Sequence, residues 1–167
     1  MNITYHTILG IASTSVMTKI IPKEDNIKVY KIGTIGVGIN ILLHGILDIL
    51  PHNYSLTMIK DGIITLFLIA VAMFFANNKY RLLTLCCVGC AILPDVIDKI
   101  IIRNISTVNF YVFPWHNAEI INNFYLVYLK IIPMQYFGIT DIVVVGSSLL
   151  FLILYRDKFI KSFKFKY

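Results

Sequence analysis

The chain has 167 residues, 57% of them hydrophobic and 14% charged, with a mean hydropathy of +0.76. A soluble domain is about 45–50% apolar and roughly a quarter charged, so this composition excludes an ordinary soluble globule and points to an integral membrane protein. The net charge of +6 comes from 15 Lys and Arg against 9 Asp and Glu. These cations lie between or after apolar runs, so topology explains them and no specific nucleic-acid partner is expected.

A helix needs about 20 residues to cross a hydrocarbon layer of roughly 30 Å. The first candidate runs from Thr4 to Ile21 and stops at Pro22, before the charged segment Lys23-Glu24-Asp25. No basic stretch precedes it and His6 interrupts its start, so it is expected to remain as a helix and not to act as a cleaved signal. The second runs from Ile32 to Leu50 and ends at Pro51. Both carry polar residues and are expected to pack inside a bundle. Gly33, Gly36 and Gly38 in the second suit close helix packing and form no dinucleotide fingerprint.

The third candidate, Gly62 to Ala76, is the most uniformly apolar and ends at Asn77-Asn78-Lys79. The fourth, Leu82 to Leu93, is short and stops at Pro94; it continues through Ile102 as a broken helix or enters at a tilt. Cys86, Cys87 and Cys90 fall inside it and read as small apolar side chains. From Ile100 to Pro133 the chain mixes aromatics, paired asparagines and Lys130. Two interfacial helices fit that mixture, and an additional span through residues 120–134 is the alternative. The last span runs from Phe137 to Tyr155 and is closed by a basic tail suited to anionic lipid. The expectation is an all-α, polytopic transmembrane bundle of about five spans with interfacial helices, forming one domain.

Lys and Arg choose its orientation. In the five-span reading one side holds Lys19, Lys23, Lys28, Lys31, Lys79, Arg81, Arg156, Lys158, Lys161, Lys164 and Lys166, and the other only Lys60, Lys99, Arg103 and Lys130. The basic side is expected to be cytoplasmic, with the N-terminus outside and the C-terminus inside.

The same orientation gathers the histidines at the outer face. His6 lies near the start of the first helix, His44 and Asp48 near the end of the second, and His52 just beyond. Asp95 and Asp98 follow the outer end of the fourth, and His116 lies in the outer segment. His44 and Asp48 are four residues apart and share a helix face, with Asn40 one turn earlier. Asp95 and Asp98 share a face if the chain stays helical after Pro94; a break there would place Asp95 near a positive helix end.

Each has a structural explanation taken singly. His44 can hydrogen-bond a neighbouring helix, Asp95 and Asp98 can cap one, and Trp115-His116 can be an interface anchor. Together, imidazoles and carboxylates suit a divalent first-row ion, which also supplies the counter-charge that carboxylates need near hydrocarbon. The expected ligands are His6, His44, Asp48, Asp95 and His116. Asp98 is a candidate base or second-metal ligand, and His116 a proton-transfer group supported by Asn117 or Glu119. The metal expected first is Zn²⁺, with Mn²⁺ or Mg²⁺ as alternatives, and the chemistry favoured is hydrolysis.

Three segments carry a resemblance: Tyr5-His6-Thr7-Ile8-Leu9-Gly10, Leu43-His44-Gly45-Ile46-Leu47-Asp48-Ile49-Leu50-Pro51-His52, and Gly89-Cys90-Ala91-Ile92-Leu93-Pro94-Asp95-Val96-Ile97-Asp98. With His116 as the later histidine, the chain resembles the YdjM-like family of membrane-bound metal-dependent hydrolases of bacterial inner membranes. The resemblance implies a helical membrane fold and a divalent-metal hydrolase acting on lipids. A phospholipid or another amphiphilic phosphoester is the expected substrate, because a site at the interface could meet it without extracting its tails. That family's later segment commonly has a basic residue, glycine and threonine before histidine and serine after it. Here it reads Phe113-Pro114-Trp115-His116-Asn117, so a phosphate-binding contribution from this loop is not carried over. A noncatalytic metal-stabilised scaffold or regulator is the second reading. An ion or proton transporter, which needs a polar path through both halves, is the third.

Overall fold

The computed structural model describes residues 2–21, 26–50, 56–102, 110–117, 119–120, 122–123, 127 and 137–160. Its long helices are α1 (Ile3–Ile20), α2 (Asn26–Ile49), α3 (Met58–Phe75), α4 (Arg81–Asp95) and α5 (Phe137–Phe159). Among the described residues the only extended pairing is an isolated bridge between Ala76 and Ile160. Among the described residues three stretches, Lys31–Ile49, Met58–Phe75 and Gly138–Phe159, are long and apolar enough to cross a membrane. The protein is an all-α integral membrane bundle. Most of the proposed interfacial region, and His52, lie outside the described residues.

The packing is that of a chain whose solvent is lipid. Large apolar side chains such as Leu42 and Ile46 on α2, Leu66 and Phe67 on α3, and Ile142 and Val143 on α5 face outward. The interior is lined with small and polar groups, and α1 touches all four other long helices. Thr7, Thr14, Ser15 and Thr18 of α1 are buried and return their hydroxyls to the carbonyls of Ile3, Gly10, Ala12 and Ser15. That back-bonding satisfies each hydroxyl within its own helix, so the stripe can pack closely without a polar partner across the interface. Gly10 shows how close: a Cβ there would stand 2.9 Å from the Val88 Cα of α4. Gly33 and Gly36 also face neighbours, Leu83 and Met17, whereas Gly38 faces open space. Cys87 is buried with its Sγ 3.8 Å from the Met17 Sδ, and all three cysteines are free.

Both ends of α1 are tied by other helices. Asn2 makes no side-chain cap. Instead the Asp61 carboxylate in the first turn of α3 accepts from Ile3 N at 2.8 Å, Thr4 N at 2.9 Å and Thr4 Oγ1 at 2.6 Å, satisfying orphan amides of the α1 start. At the other end Lys158 of α5 donates to the carbonyls of Lys19 at 3.2 Å and Ile21 at 3.3 Å. These bonds bring the start of α1 beside the start of α3, and the end of α1 beside the end of α5.

Pro94 does not break the fourth helix. It sits inside α4, and the chain continues as a π-helix, Val96–Ile102. Proline removes one amide donor from the ladder, and the wider register beyond it keeps the backbone helical. Asp95 therefore ends α4 within a continuous helix and does not begin a new one, so no positive helix end faces it.

Candidate metal centre

Four ligand atoms converge where α2, α4 and the short turn Pro114–His116 meet. His44 and Asp48 project from the last turns of α2, Asp95 from the end of α4, and His116 from the turn. His44 Nε2 lies 3.2 Å from Asp48 Oδ2, 3.6 Å from Asp95 Oδ1 and 3.3 Å from His116 Nε2. His116 Nε2 lies 3.0 Å from Asp48 Oδ2 and 3.3 Å from Asp95 Oδ1. All four residues are buried, and all four atoms fall within 4.8 Å of one another. Zinc binds nitrogen and oxygen at about 2.0–2.2 Å, so the edge of a tetrahedral ligand set is about 3.3–3.6 Å and a cis edge of an octahedral set at about 2.1 Å is about 3.0 Å. The five separations, 3.0–3.6 Å, run between these two edge lengths.

The outer bonds decide which nitrogens face inward. His44 Nδ1 is 2.6 Å from the Ala91 carbonyl. A carbonyl only accepts, so Nδ1 carries the proton and a neutral His44 turns a lone pair to the centre. His116 Nδ1 is 2.8 Å from Asp98 Oδ2, and a carboxylate fixes the same tautomer there. Imidazoles held in this way from behind are the usual arrangement around a bound metal. Asp95 Oδ2 is buried with no hydrogen-bond partner among the described residues. A buried His₂Asp₂ cluster of this kind can coordinate a divalent cation.

No family model, curated protein or solved structure matches this chain.

Two residues expected at the metal or in catalysis come to the centre but face it through another side chain. His6 is fully buried on α1; its Nε2 meets Asp48 Oδ1 at 3.1 Å, the oxygen opposite the one that faces the four-atom set. Its ring stacks on His44 with centroids 3.8 Å apart. Asp98 lies behind His116, accepting also from Val112 N at 2.8 Å and Phe113 N at 3.0 Å. Three donors on one carboxylate hold both the imidazole and the backbone of its turn. Asn40 does not reach the centre: it accepts from Ser13 at 3.0 Å and donates to the Gly36 carbonyl at 2.7 Å. Asn117 accepts from the Glu119 amide at 2.9 Å, a local turn and not a support for His116.

Two further residues reach the centre. Lys99 contacts Asp95 Oδ1 and stands 3.9 Å from Asp48 Oδ2; its four-residue spacing from Asp95 was the available signal. Trp115 lies over Gly45, where a Cβ would come within 2.7 Å of the indole ring. Glycine beside His44 lets the aromatic ring close over that part of α2, and no local pattern announces it.

With no cation competing, His116 is held in its charged form. Burial pulls its pKa down, but hydrogen bonds to Asp48, Asp95 and Asp98 outweigh that and carry it up to about 9. Protonated His116 and Lys99 then balance the carboxylates that a divalent cation would otherwise neutralise.

Proposed function

We propose that the protein is a divalent-metal-dependent membrane hydrolase acting on a phospholipid or another amphiphilic phosphoester. The observation that carries this reading is the convergence of four acceptor atoms from His44, Asp48, Asp95 and His116 at a point also reached by the half-exposed Lys99. His44, Asp48, Asp95 and His116 would hold the cation, which would supply Lewis acidity and activate water near neutral pH. Asp98 positions His116, and His6 positions Asp48. Zn²⁺ is the first candidate; Mn²⁺ or Mg²⁺, which take six ligands, would leave more positions open for water and substrate. The resemblance to the YdjM-like family supports the same class of reaction.

In this proposal all five long helices cross a bacterial inner membrane, with the N-terminus and the metal centre at the outer face and the C-terminus in the cytoplasm. Placement at one face would let the site meet lipid headgroups without extracting their tails. A second reading, a metal-stabilised scaffold or regulator, is favoured by one feature. Four side chains suffice to fill a tetrahedral zinc site.

Metal analysis of the detergent-purified protein and of His44→Ala and Asp95→Ala tests the centre. The expected result is stoichiometric metal in the parent protein and its loss from both variants with helicity retained. Failure to bind any divalent metal after reconstitution would overturn the reading. A screen of phospholipid hydrolysis by the loaded protein then separates hydrolase from scaffold, since a scaffold gives no turnover.

A further inference from the structure

We infer that Lys99 is the anion-binding residue of this site, receiving an anionic phosphoryl group beside the metal; this rests on the metal reading above. Its ammonium contacts Asp95 Oδ1 and stands 3.9 Å from Asp48 Oδ2, two of the four atoms that face the centre. A cation held by those atoms would lie about 2.0–2.2 Å from each, close enough to repel the ammonium that contacts the same oxygens. A metal on those oxygens weakens the hold of the carboxylates on the ammonium. His44, Asp48, Asp95 and His116 are buried, whereas the Lys99 side chain is 42% exposed. Lysine is therefore the member of the cluster that can swing away on a flexible stem.

The backbone fixes where it goes. Lys99 lies in the π-helical segment Val96–Ile102, one turn beyond Asp95. Its Cα is anchored in that helix, and the side chain has an exposed side toward which the head group can turn. An ammonium turned that way beside a cationic centre would leave two positive charges a few ångströms apart (about one lysine stem). A phosphoryl group suits that pair, because its several oxygens can meet the metal and the ammonium at once, and lysine serves phosphate as a compact point charge. A phospholipid headgroup and free phosphate share this chemistry.

The test uses the full chain in detergent, loaded with Zn²⁺ or Mn²⁺, and calorimetric titration with inorganic phosphate. A second arm compares mixed micelles containing phosphatidic acid with micelles containing diacylglycerol. Loaded wild type should bind phosphate, and Lys99→Gln should bind it at least about tenfold more weakly, the scale of one charge-assisted hydrogen bond. Lys99→Arg should retain it. Metal affinity of Lys99→Gln should be equal or higher, since its competing ammonium is gone. Preference for phosphatidic acid over diacylglycerol identifies the headgroup as the source; binding of inorganic phosphate alone assigns the site to a soluble phosphate. Undiminished phosphate binding by Lys99→Gln, or loss of metal from that variant, overturns the inference. Lys99→Met repeats the measurement if the glutamine variant does not fold. A wild type that holds metal but no phosphate refutes the anion site alone; one that holds no metal refutes the metal reading itself.

Discussion

Asp98 offers the sharpest check on how the centre is held. Its Oδ2 accepts from His116 Nδ1 at 2.8 Å and Phe113 N at 3.0 Å, and its Oδ1 accepts from Val112 N at 2.8 Å. In Asp98→Asn the carbonyl oxygen can keep the His116 and Phe113 bonds, while the new amide faces the Val112 N–H and loses that bond. Asp98→Ala loses all three. Partners behind metal-ligating imidazoles are typically worth about 10–100-fold in metal affinity, or about 1.4–2.7 kcal/mol. The asparagine variant should fall near the lower bound and the alanine variant near the upper. Trp115, the chain's single tryptophan, supplies the assay. Its ring centroid is 6.5 Å from those of both His44 and His116, so a quenching ion such as Co²⁺ should report occupancy directly. If both variants retain helicity and bind Co²⁺ as tightly as wild type, Asp98 does not position His116 and the reasoning fails.

Metal binding should strengthen with pH up to about 9, because a cation must displace the His116 proton. One displaced proton weakens binding about tenfold per pH unit below that point, and pH-independent affinity in the same fluorescence titration would refute the assignment. The metal-free protein should behave oppositely: the raised His116 pKa contributes stability fully below 6.5, and that contribution is lost as pH rises through about 9. Gly45→Ala should displace Trp115, shifting its emission and costing about 1–3 kcal/mol, whereas Gly38→Ala, with nothing within 4 Å of its new Cβ, should be neutral or stabilising by about 0.5–1 kcal/mol. Equal thermal midpoints for the two variants would argue against the Trp115 contact. Asp61→Asn should cost about 1–2 kcal/mol by weakening the tie to the α1 start, read as faster hydrogen exchange at Ile3 and Thr4; unchanged exchange would contradict it.

Much of the fold and part of the centre are legible in the sequence. Composition alone determined the membrane class, since 57% apolar and 14% charged residues cannot clothe a soluble domain. The expected helices lie close to those observed because apolar runs set the cores of membrane helices. The spacing of His44 and Asp48 placed them on one face of α2, and the cost of burying Asp48 as a lone charge marked it as a member of a cluster.

Sequence could not decide which atoms face one another. His6 and His44 are similar on paper, yet Asp48 has two oxygens, and only the packing of α1 against α2 gives one to His6 and the other to the centre. Asp98 could equally have been a ligand or a base until the fold set Val112, Phe113 and His116 around it. Pro94 reads as a stop, but the π register beyond it continues the helix and carries Lys99 onto Asp95. Apolar runs and helical spacings are local and survive in one dimension. The division of ligands, supporting bonds and counter-ion depends on distances between segments as far apart as residues 44 and 116, and only the tertiary structure sets those.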